Sequence, residues 1–186
     1  MEIAVLGWGS LIWKPLNLKV KGSWKTGGLL LPIEFARISE DGSLTLVLFP
    51  DSDNVQTLWV FSSFEDLDQA IENLRRRERT SRKRIGFISI PDGSSNCQVV
   101  PQVLDRIRQL AKEKELNAVI WTDLPSNFKE KARMDFNEDN VIKYLKSLTG
   151  KQLEEAEKYV RRVPKQVKTR IRSRIETELG WTYEFI

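Results

Sequence analysis

The chain has 186 residues, a size that suits one domain, and 40% of them are hydrophobic, which is enough to build a core. The formal net charge is +4, and the single cysteine, Cys97, excludes an internal disulfide or an Fe–S cluster. The chain contains no histidine, which excludes Ser-His-Asp and Cys-His catalysis, HExxH zinc sites and the usual zinc fingers. Proton transfer near neutral pH must then use Glu, Asp, Lys, Tyr, Cys or water.

The strands predicted in the first third of the chain are Ile3–Leu6, Leu16–Val20, Leu29–Ile38, Ser43–Phe49 and Gln56–Ser62. Pro32 lies inside the third of them, which predicts an edge strand or a bent strand, because proline cannot donate to a sheet. The turn-rich sequence PDSDN separates the last two strands.

The segment SSFEDLDQAIENLRRRE changes from the period of a strand to that of a helix. A capping box at its start can form from Ser62 with Glu65, or from Ser63 with Asp66. The apolar residues that share one helical face are Phe64, Leu67, Ala70, Ile71 and Leu74. We expect this stripe to pack on the core.

The predicted elements that follow are a strand at IGFISIP, a pairing segment at CQVV, a helix at Val103–Lys114 and a strand at Asn117–Leu124. Three helices complete the chain: the first ends at Gly150 as its C′ glycine, the second stops before Pro164, and the third runs from Pro164 to Gly180. This order predicts an α+β fold with a partly closed sheet. We expect a single domain over residues 1–186, with a helical C-terminal extension over about residues 125–186.

The sequence LGWGSLIWKP places two glycines and a serine directly after the first strand. A dinucleotide-binding loop would need a third glycine where Ile12 stands and a helix where Pro15 stands. The phosphate-binding pattern GxxxxGK[ST] is absent from the sequence. Two interpretations remain: a tight turn filled by apolar side chains, or a loop whose backbone closely approaches a ligand.

Glu78 is the chemically unusual residue of the first long helix. At 100° per residue it lies within roughly 40–60° of arc of Leu67, Ile71 and Leu74, so it follows the apolar stripe. A carboxylate that points toward a core is costly unless it has partners. It can form a buried ion pair with flanking Arg75 or Arg77, it can turn to water at a frayed helix end, or it can serve in a pocket.

The two features together resemble the γ-glutamylcyclotransferase superfamily, in particular its ChaC-like and AIG2-like branch. LGWGSLIWKP is similar to the family's GYGSLIWKP-type motif, and LRRRE is similar to the later motif in which an arginine precedes the catalytic glutamate. The matches cover roughly residues 3 to 90. Trp8 stands where the family usually has tyrosine, and RTSRKRIGF follows Glu78 in place of a short glycine-rich turn.

The resemblance implies a γ-glutamylcyclotransferase-like fold, a small mixed β-barrel surrounded by helices. It implies a cofactor-independent and metal-independent enzyme that releases 5-oxoproline from a small γ-glutamyl compound, as in glutathione metabolism. Glu78 is then the general acid/base. The substrate-binding residues it implies are Gly7, Trp8, Gly9, Ser10, Leu11 and Ile12.

Five further side chains could take part in a site. Ser10 has neither a histidine nor a lysine pattern to activate it, so a loop hydrogen bond is expected rather than nucleophilic attack. Cys97 is expected to be structural. Asp123 ends a strand, where it either caps the next turn or contacts substrate. Tyr144 and Tyr159 lie on apolar helix faces, so packing is expected for both.

Basic residues are concentrated in Arg75–Arg84 and Lys158–Arg174, of which the second contains no acid. Such runs form either solvated helix faces or surfaces for nucleic acid and other anionic partners. An inactive member of the fold that binds a small ligand, or an anionic macromolecule through these helices, is therefore the alternative function.

We expect a cytoplasmic protein with no membrane association. The sequence has no run of about 20 apolar residues, and MEIAVLGW lacks the basic start of a signal peptide. The oligomeric state is left open.

Overall fold

A computed structural model describes residues 1–184, which form nine strands in two sheets and six helices. The strands are β1 Ile3–Gly7, β2 Val20–Lys25, β3 Leu30–Ile38, β4 Leu44–Leu48, β5 Asn54–Gln56, β6 Leu58–Ser62, β7 Ile85–Ser89, β8 Ser95–Asn96 and β9 Ala118–Thr122. The helices are α1 Leu67–Glu78, α2 Leu104–Glu113, α3 Phe128–Ala132, α4 Glu138–Ser147, α5 Gly150–Arg162 and α6 Arg170–Leu179. The fold is therefore mixed α+β. Neither sheet closes on itself within the described residues, so the predicted barrel is not observed.

The chain divides into two compact units. The first unit contains Met1–Leu31 and Gln56–Leu124, and the second contains Pro32–Val55 and the chain from Pro125 onward. The prediction of one domain over residues 1–186 stays a prediction. The predicted helical character from about residue 125 is confirmed, since the described residues beyond Pro125 form α3 to α6 and no strand.

The first unit is built on a six-stranded sheet in the order β2-β6-β1-β9-β7-β8. β1 lies near its centre, antiparallel to β6 with Gly7 opposite Leu58, and parallel to β9 with Ile3 opposite Ala118. Every residue of β1 is buried, which explains its uninterrupted apolar sequence. β1 ends at Gly7, so the glycine loop begins at the end of a central strand of the sheet.

The helix α1 covers one face of this sheet. Its buried residues Ala70, Ile71 and Leu74 pack with Ile3 and Val5 of β1, while Phe64 and Leu67 are partly buried against the same cluster. This confirms the predicted stripe. The N-cap is Asp66, whose carboxylate accepts a hydrogen bond from the Gln69 amide at 2.9 Å, so both predicted serine capping boxes are wrong.

The second unit contains a three-stranded sheet, in the order β4-β3-β5, and the four C-terminal helices. β3 is its central strand, so the expectation of an edge strand is wrong. The pairing of β3 with β4 shifts register between Phe35 and Arg37, beyond Pro32, and the expectation of a bend at Pro32 stays a prediction. Helix α5 packs on β4, and α4 packs on α6. Tyr144 and Tyr159 hydrogen-bond to the backbone at Gly42 and Leu46, consistent with their predicted packing role.

Several predicted boundaries are wrong. The second strand begins at Val20 rather than ending there, and the partner of β7 is Ser95–Asn96 rather than CQVV. Gly150 does not close α4: that helix ends at Ser147, and Gly150, with φ of +53°, is the first residue of α5. The last helix begins after its N-cap Thr169 instead of at Pro164, because the Thr169 side chain accepts from the Arg172 amide.

Glu34 is a buried carboxyl group at the N-terminus of α6. Its Oε1 accepts a hydrogen bond from the Phe35 amide at 2.8 Å, its Oε2 accepts from the Ile171 amide at 3.4 Å, and it also hydrogen-bonds the Thr169 side chain. Burial raises the pKa of Glu34 above its ordinary value of 4.5, and these hydrogen bonds only partly oppose that effect.

The stability of the chain should therefore depend on pH through Glu34. A group whose pKa is raised by folding contributes stability that is complete below its unfolded pKa and is lost as the pH rises through its folded pKa. We expect wild type to gain free energy of unfolding relative to Glu34→Gln as the pH is lowered from 8 toward 4.5. Urea unfolding of both proteins across this range measures the difference, and a difference independent of pH would contradict the assignment.

Candidate active site

The loop that follows β1 is a tight turn with unused amide donors. The Ile12 amide donates to the Gly9 carbonyl at 3.0 Å, and the Lys14 amide donates to the Ser10 carbonyl at 2.8 Å. The amides of Gly9, Ser10 and Leu11 donate to no acceptor within residues 1–184. Among the predicted substrate-binding residues, the amide of Ile12 is therefore already engaged, whereas the three amides before it are available to an anionic or carbonyl oxygen.

Close packing explains the glycine at the start of this loop. A Cβ built on Gly7 would lie 2.6 Å from two ring atoms of Trp24, so the indole occupies the space of a side chain. Trp8 and Leu11 are both buried, and Leu11 belongs to the same core cluster as Ile71 of α1. The loop is thus anchored under the helix that carries Glu78.

The end of α1 brings the acid to this loop. The helix ends at Glu78 because Arg79 adopts a left-handed conformation, with φ of +50°, and donates back to the carbonyls of Arg75 and Arg76. A carboxylate in the last helical turn is unfavourable beside the partial negative charge of the helix end, so its presence requires a local partner. That partner is Arg77.

Arg77 joins the loop and the acid. Its Nη1 donates to Glu78 Oε1 at 2.6 Å, and its Nη2 donates to Ser10 Oγ at 2.9 Å and to the Lys14 carbonyl at 2.8 Å. The side chains of Arg77 and Glu78 are only 8% and 13% exposed. The ion pair foreseen with a flanking arginine is therefore present, and the same arginine places the carboxylate beside the glycine loop.

The link that Arg77 makes to the loop was not predictable from the helical wheel. A wheel places Arg77 beside Glu78, because it gives side-chain directions and not side-chain reach. The sequence feature that could have indicated this link is the adjacent pair Arg77 and Glu78. An arginine next to a stripe-facing acid can turn back along the helix and reach the loop that the acid also faces.

Asn73, on the same helix, fixes the exit of the loop. Its Oδ1 accepts from the Lys19 amide and its Nδ2 donates to the Asn17 carbonyl, both at 2.9 Å. A cleft of about 330 Å³ lies beside this contact, and its lining includes Phe64 and Arg76. Neither the glycine loop nor Glu78 lines this cleft. Together, Asn73 and Arg77 hold both ends of the segment that follows the turn.

Asp123 and Cys97 form a separate buried contact. The Asp123 carboxylate accepts from the Gln98 amide at 2.6 Å and also from the Val99 amide, so it secures the loop that contains Cys97. Burial is the main cause that raises the pKa of Asp123. The backbone donors that Asp123 binds precede it in the chain, so the predicted cap of the following turn is wrong, and the predicted substrate contact stays a prediction.

Cys97 should react slowly with thiol reagents. Burial and the neighbouring Asp123 raise the pKa of its thiol to about 11, which leaves little thiolate near neutral pH. We expect alkylation by iodoacetamide at pH 8 to be at least about tenfold slower in the folded chain than in urea-unfolded chain. Equal rates in both states, measured by mass spectrometry, would contradict this environment.

Acids compensate much of the basic segment Lys158–Arg174. Its ion pairs include Lys158–Glu155, Arg161–Glu157, Arg170–Asp53, Arg172–Glu176 and Arg174–Glu178. Lys165 lies with its Nζ 5.0 Å from the centre of the Tyr183 ring. This segment therefore presents less uncompensated charge than its sequence implies.

Comparisons with protein-family models, curated proteins and solved structures found no match to this chain. Within residues 1–184, no helix is both long and apolar enough to cross a membrane. The same residues contain no group of three or more Cys, Asp or Glu side chains arranged to hold a metal ion. The chemistry of the glycine loop, Arg77 and Glu78 is therefore what indicates a function.

Proposed function

We propose that the chain is a γ-glutamylcyclotransferase-like enzyme that acts on a small γ-glutamyl compound, and that its fold is a variant of that family's fold. The observation that supports the proposal is the link from Ser10 through Arg77 to Glu78. One guanidinium joins the Ser10 hydroxyl of the glycine loop to a nearly buried carboxylate. Neither a cofactor nor a metal is required by the reaction.

The proposed reaction is an intramolecular aminolysis. The α-amine of the γ-glutamyl group attacks its own γ-carbonyl carbon, the new C–N bond closes the five-membered ring, and the original amide C–N bond breaks. Glu78 takes the proton from the attacking ammonium and returns it to the leaving nitrogen, so that 5-oxoproline and an amine are released. The amides of Gly9, Ser10 and Leu11 stabilise the negative charge that develops on the carbonyl oxygen.

The direct test is product analysis with a panel of γ-glutamyl amino acids, γ-glutamyl amines and glutathione. We expect 5-oxoproline and the free amine to appear in equal amounts from at least one member, without added metal and in the presence of EDTA. Absence of 5-oxoproline from the whole panel would reject the enzymatic proposal for these substrate classes.

A binding protein that uses the same site is the second candidate. The observation in its favour is the 2.6 Å pair of Arg77 with Glu78, because an acid held by an arginine can anchor a ligand without turning it over. Saturable binding of γ-glutamyl compounds with no product would identify this case. Binding of nucleic acid through Lys158–Arg174 would instead weaken steeply with added salt.

A further inference from the structure

The cleft of about 330 Å³ beside α1 is a preformed space between two walls. The helix supplies one wall through residues that recur every three or four positions on one face, Gln69, Glu72, Asn73 and Arg76. The other wall includes Asn17 and Lys19, whose carbonyl and amide respectively form 2.9 Å hydrogen bonds with the Asn73 side chain. The volume is near the lower end of the range of about 300–1,000 Å³ typical of small-molecule sites, so one small molecule fits.

The lining of this cleft carries positive charge that the protein does not neutralise. Its carboxylate, Glu72, accepts hydrogen bonds from Nε of Arg75 and from Nε of Arg76, each at 2.7 Å. These two arginines lower the pKa of Glu72 to about 2. Nη1 and Nη2 of Arg76 and the ammonium group of Lys19 have no acceptor within residues 1–184. Two cationic groups are therefore available to an anion.

Phe64 gives the same cleft an aromatic surface. Its side chain is partly buried against the core cluster beneath α1, and it also lines the cleft. Nucleobases stack on aromatic side chains of this kind, because every base has a flat face. The Gln69 amide makes no side-chain hydrogen bond among the described residues, so it offers a donor and an acceptor to the edge of such a ring.

Leu16, the residue before Asn17, is a second and independent indication of a ligand here. Its side chain is 62% exposed, and its φ of +53° is unfavourable for a bulky residue. The backbone on both sides of it is fixed, because Arg77 donates to the Lys14 carbonyl and Asn73 donates to the Asn17 carbonyl. Residues that are held in strained conformations cluster at ligand sites, and burial inside the chain does not explain this one.

We propose that this cleft binds a nucleoside monophosphate, with its phosphate at Arg76 and Lys19 and its base against Phe64. The planar guanidinium donates parallel N–H bonds to phosphate oxygens, and the ammonium group adds a compact charge. A free nucleotide and the phosphorylated end of a nucleic acid present the same chemistry to this site. The site is separate from the glycine loop, so it does not depend on the reaction proposed for Glu78.

Calorimetric titration of the full chain with AMP, GMP, CMP and UMP tests the site in the absence of any γ-glutamyl compound. We expect at least one of the four to bind with a Kd below about 1 mM. Its nucleoside and inorganic phosphate should each bind roughly tenfold or more weakly, because each retains only part of the contacts. A 5′-phosphorylated trinucleotide distinguishes the two sources: tighter binding than the mononucleotide assigns a nucleic-acid end, and equal or weaker binding assigns a free nucleotide.

Variants assign the phosphate and the base to their contacts. Lys19→Gln and Arg76→Gln should each weaken the mononucleotide by roughly tenfold and leave the nucleoside nearly unchanged. Phe64→Leu should weaken both ligands by roughly fivefold or more. The matched controls are Lys21→Gln and Arg82→Gln, each of which removes a cation that is ion-paired outside the cleft, and neither should change either Kd.

Three results would overturn the proposal. One is no detectable binding of any of the four mononucleotides at millimolar concentration. Another is an equal loss in the control variants, which would show an adventitious ion only, attracted by the net charge. The third is inorganic phosphate bound as tightly as the best mononucleotide, with no saturation transfer to the base protons in NMR of the wild type, a measurement that holds even if Phe64→Leu does not fold. Release of 5-oxoproline is measured separately, so either proposal can fail without the other.

Discussion

Glu78→Gln is expected to lower the rate of 5-oxoproline release by roughly 10²–10⁴-fold, the usual range for loss of a general acid/base. Glutamine has nearly the same size as glutamate and still accepts a hydrogen bond from Arg77. The variant therefore keeps the link between the acid position and the loop that Arg77 holds through Ser10. What it loses is the ability to take the proton from the attacking ammonium.

The measurement is single-turnover release of 5-oxoproline from the best substrate of the panel, beside the thermal unfolding midpoint of each protein. Glu72→Gln is the matched control, because Glu72 lies on the same helix but pairs with Arg75 and Arg76 on the solvent side. Turnover that survives Glu78→Gln unchanged would exclude Glu78 as the acid/base even if the enzyme itself is active.

Gly86→Ala is expected to destabilise the chain by about 3 kcal/mol or more, at the upper end of the range for overpacked cores. Gly86 in β7 lies opposite Trp121 in β9. A Cβ on Gly86 would come within 2.1 Å of two indole atoms, far inside van der Waals contact. Trp121 is fully buried, so the indole cannot swing out to make room.

Denaturant unfolding of single and double variants tests this contact. Trp121→Leu removes the overlapping ring, so the double variant should lose at least about 1 kcal/mol less than the sum of the single losses. Gly93→Ala is the control for backbone strain alone, since Gly93 has φ of +73° with nothing near its Cβ position, and about 1 kcal/mol is expected. A Gly86→Ala loss below that of Gly93→Ala would contradict the packing argument.

Local periodicity was sufficient to predict the elements that carry the site. The apolar run Ile3–Leu6 has the length of a buried strand, and it predicts β1. The stripe that includes Ile71 and Leu74 has the period of a helix, and it predicts α1. Caps were less predictable. Several residues near the start of α1 can accept an amide hydrogen bond, and only the path of the preceding chain selects Asp66. The prediction for Gly150 was also wrong: this glycine has the positive φ that is typical of a C′ position, but α4 already ends at Ser147.

The long-range arrangement of the site could be predicted only in part. The inward direction of Glu78 follows from its place on the stripe, and the loop follows from two glycines after a strand. The hydrogen bonds of Arg77 to Ser10 and to the Lys14 carbonyl link positions more than sixty residues apart. No local pattern encodes such a link, and the parallel pairing of β1 with β9 is equally non-local.

That parallel pairing has a consequence during synthesis on the ribosome. β1 emerges first, yet one of its edges stays open until β9 has been translated. Pro32–Val55, meanwhile, must wait for partners from Pro125 onward. A nascent chain halted before Ala118 would thus expose an apolar strand edge, the kind of surface that chaperones bind and that aggregation begins from.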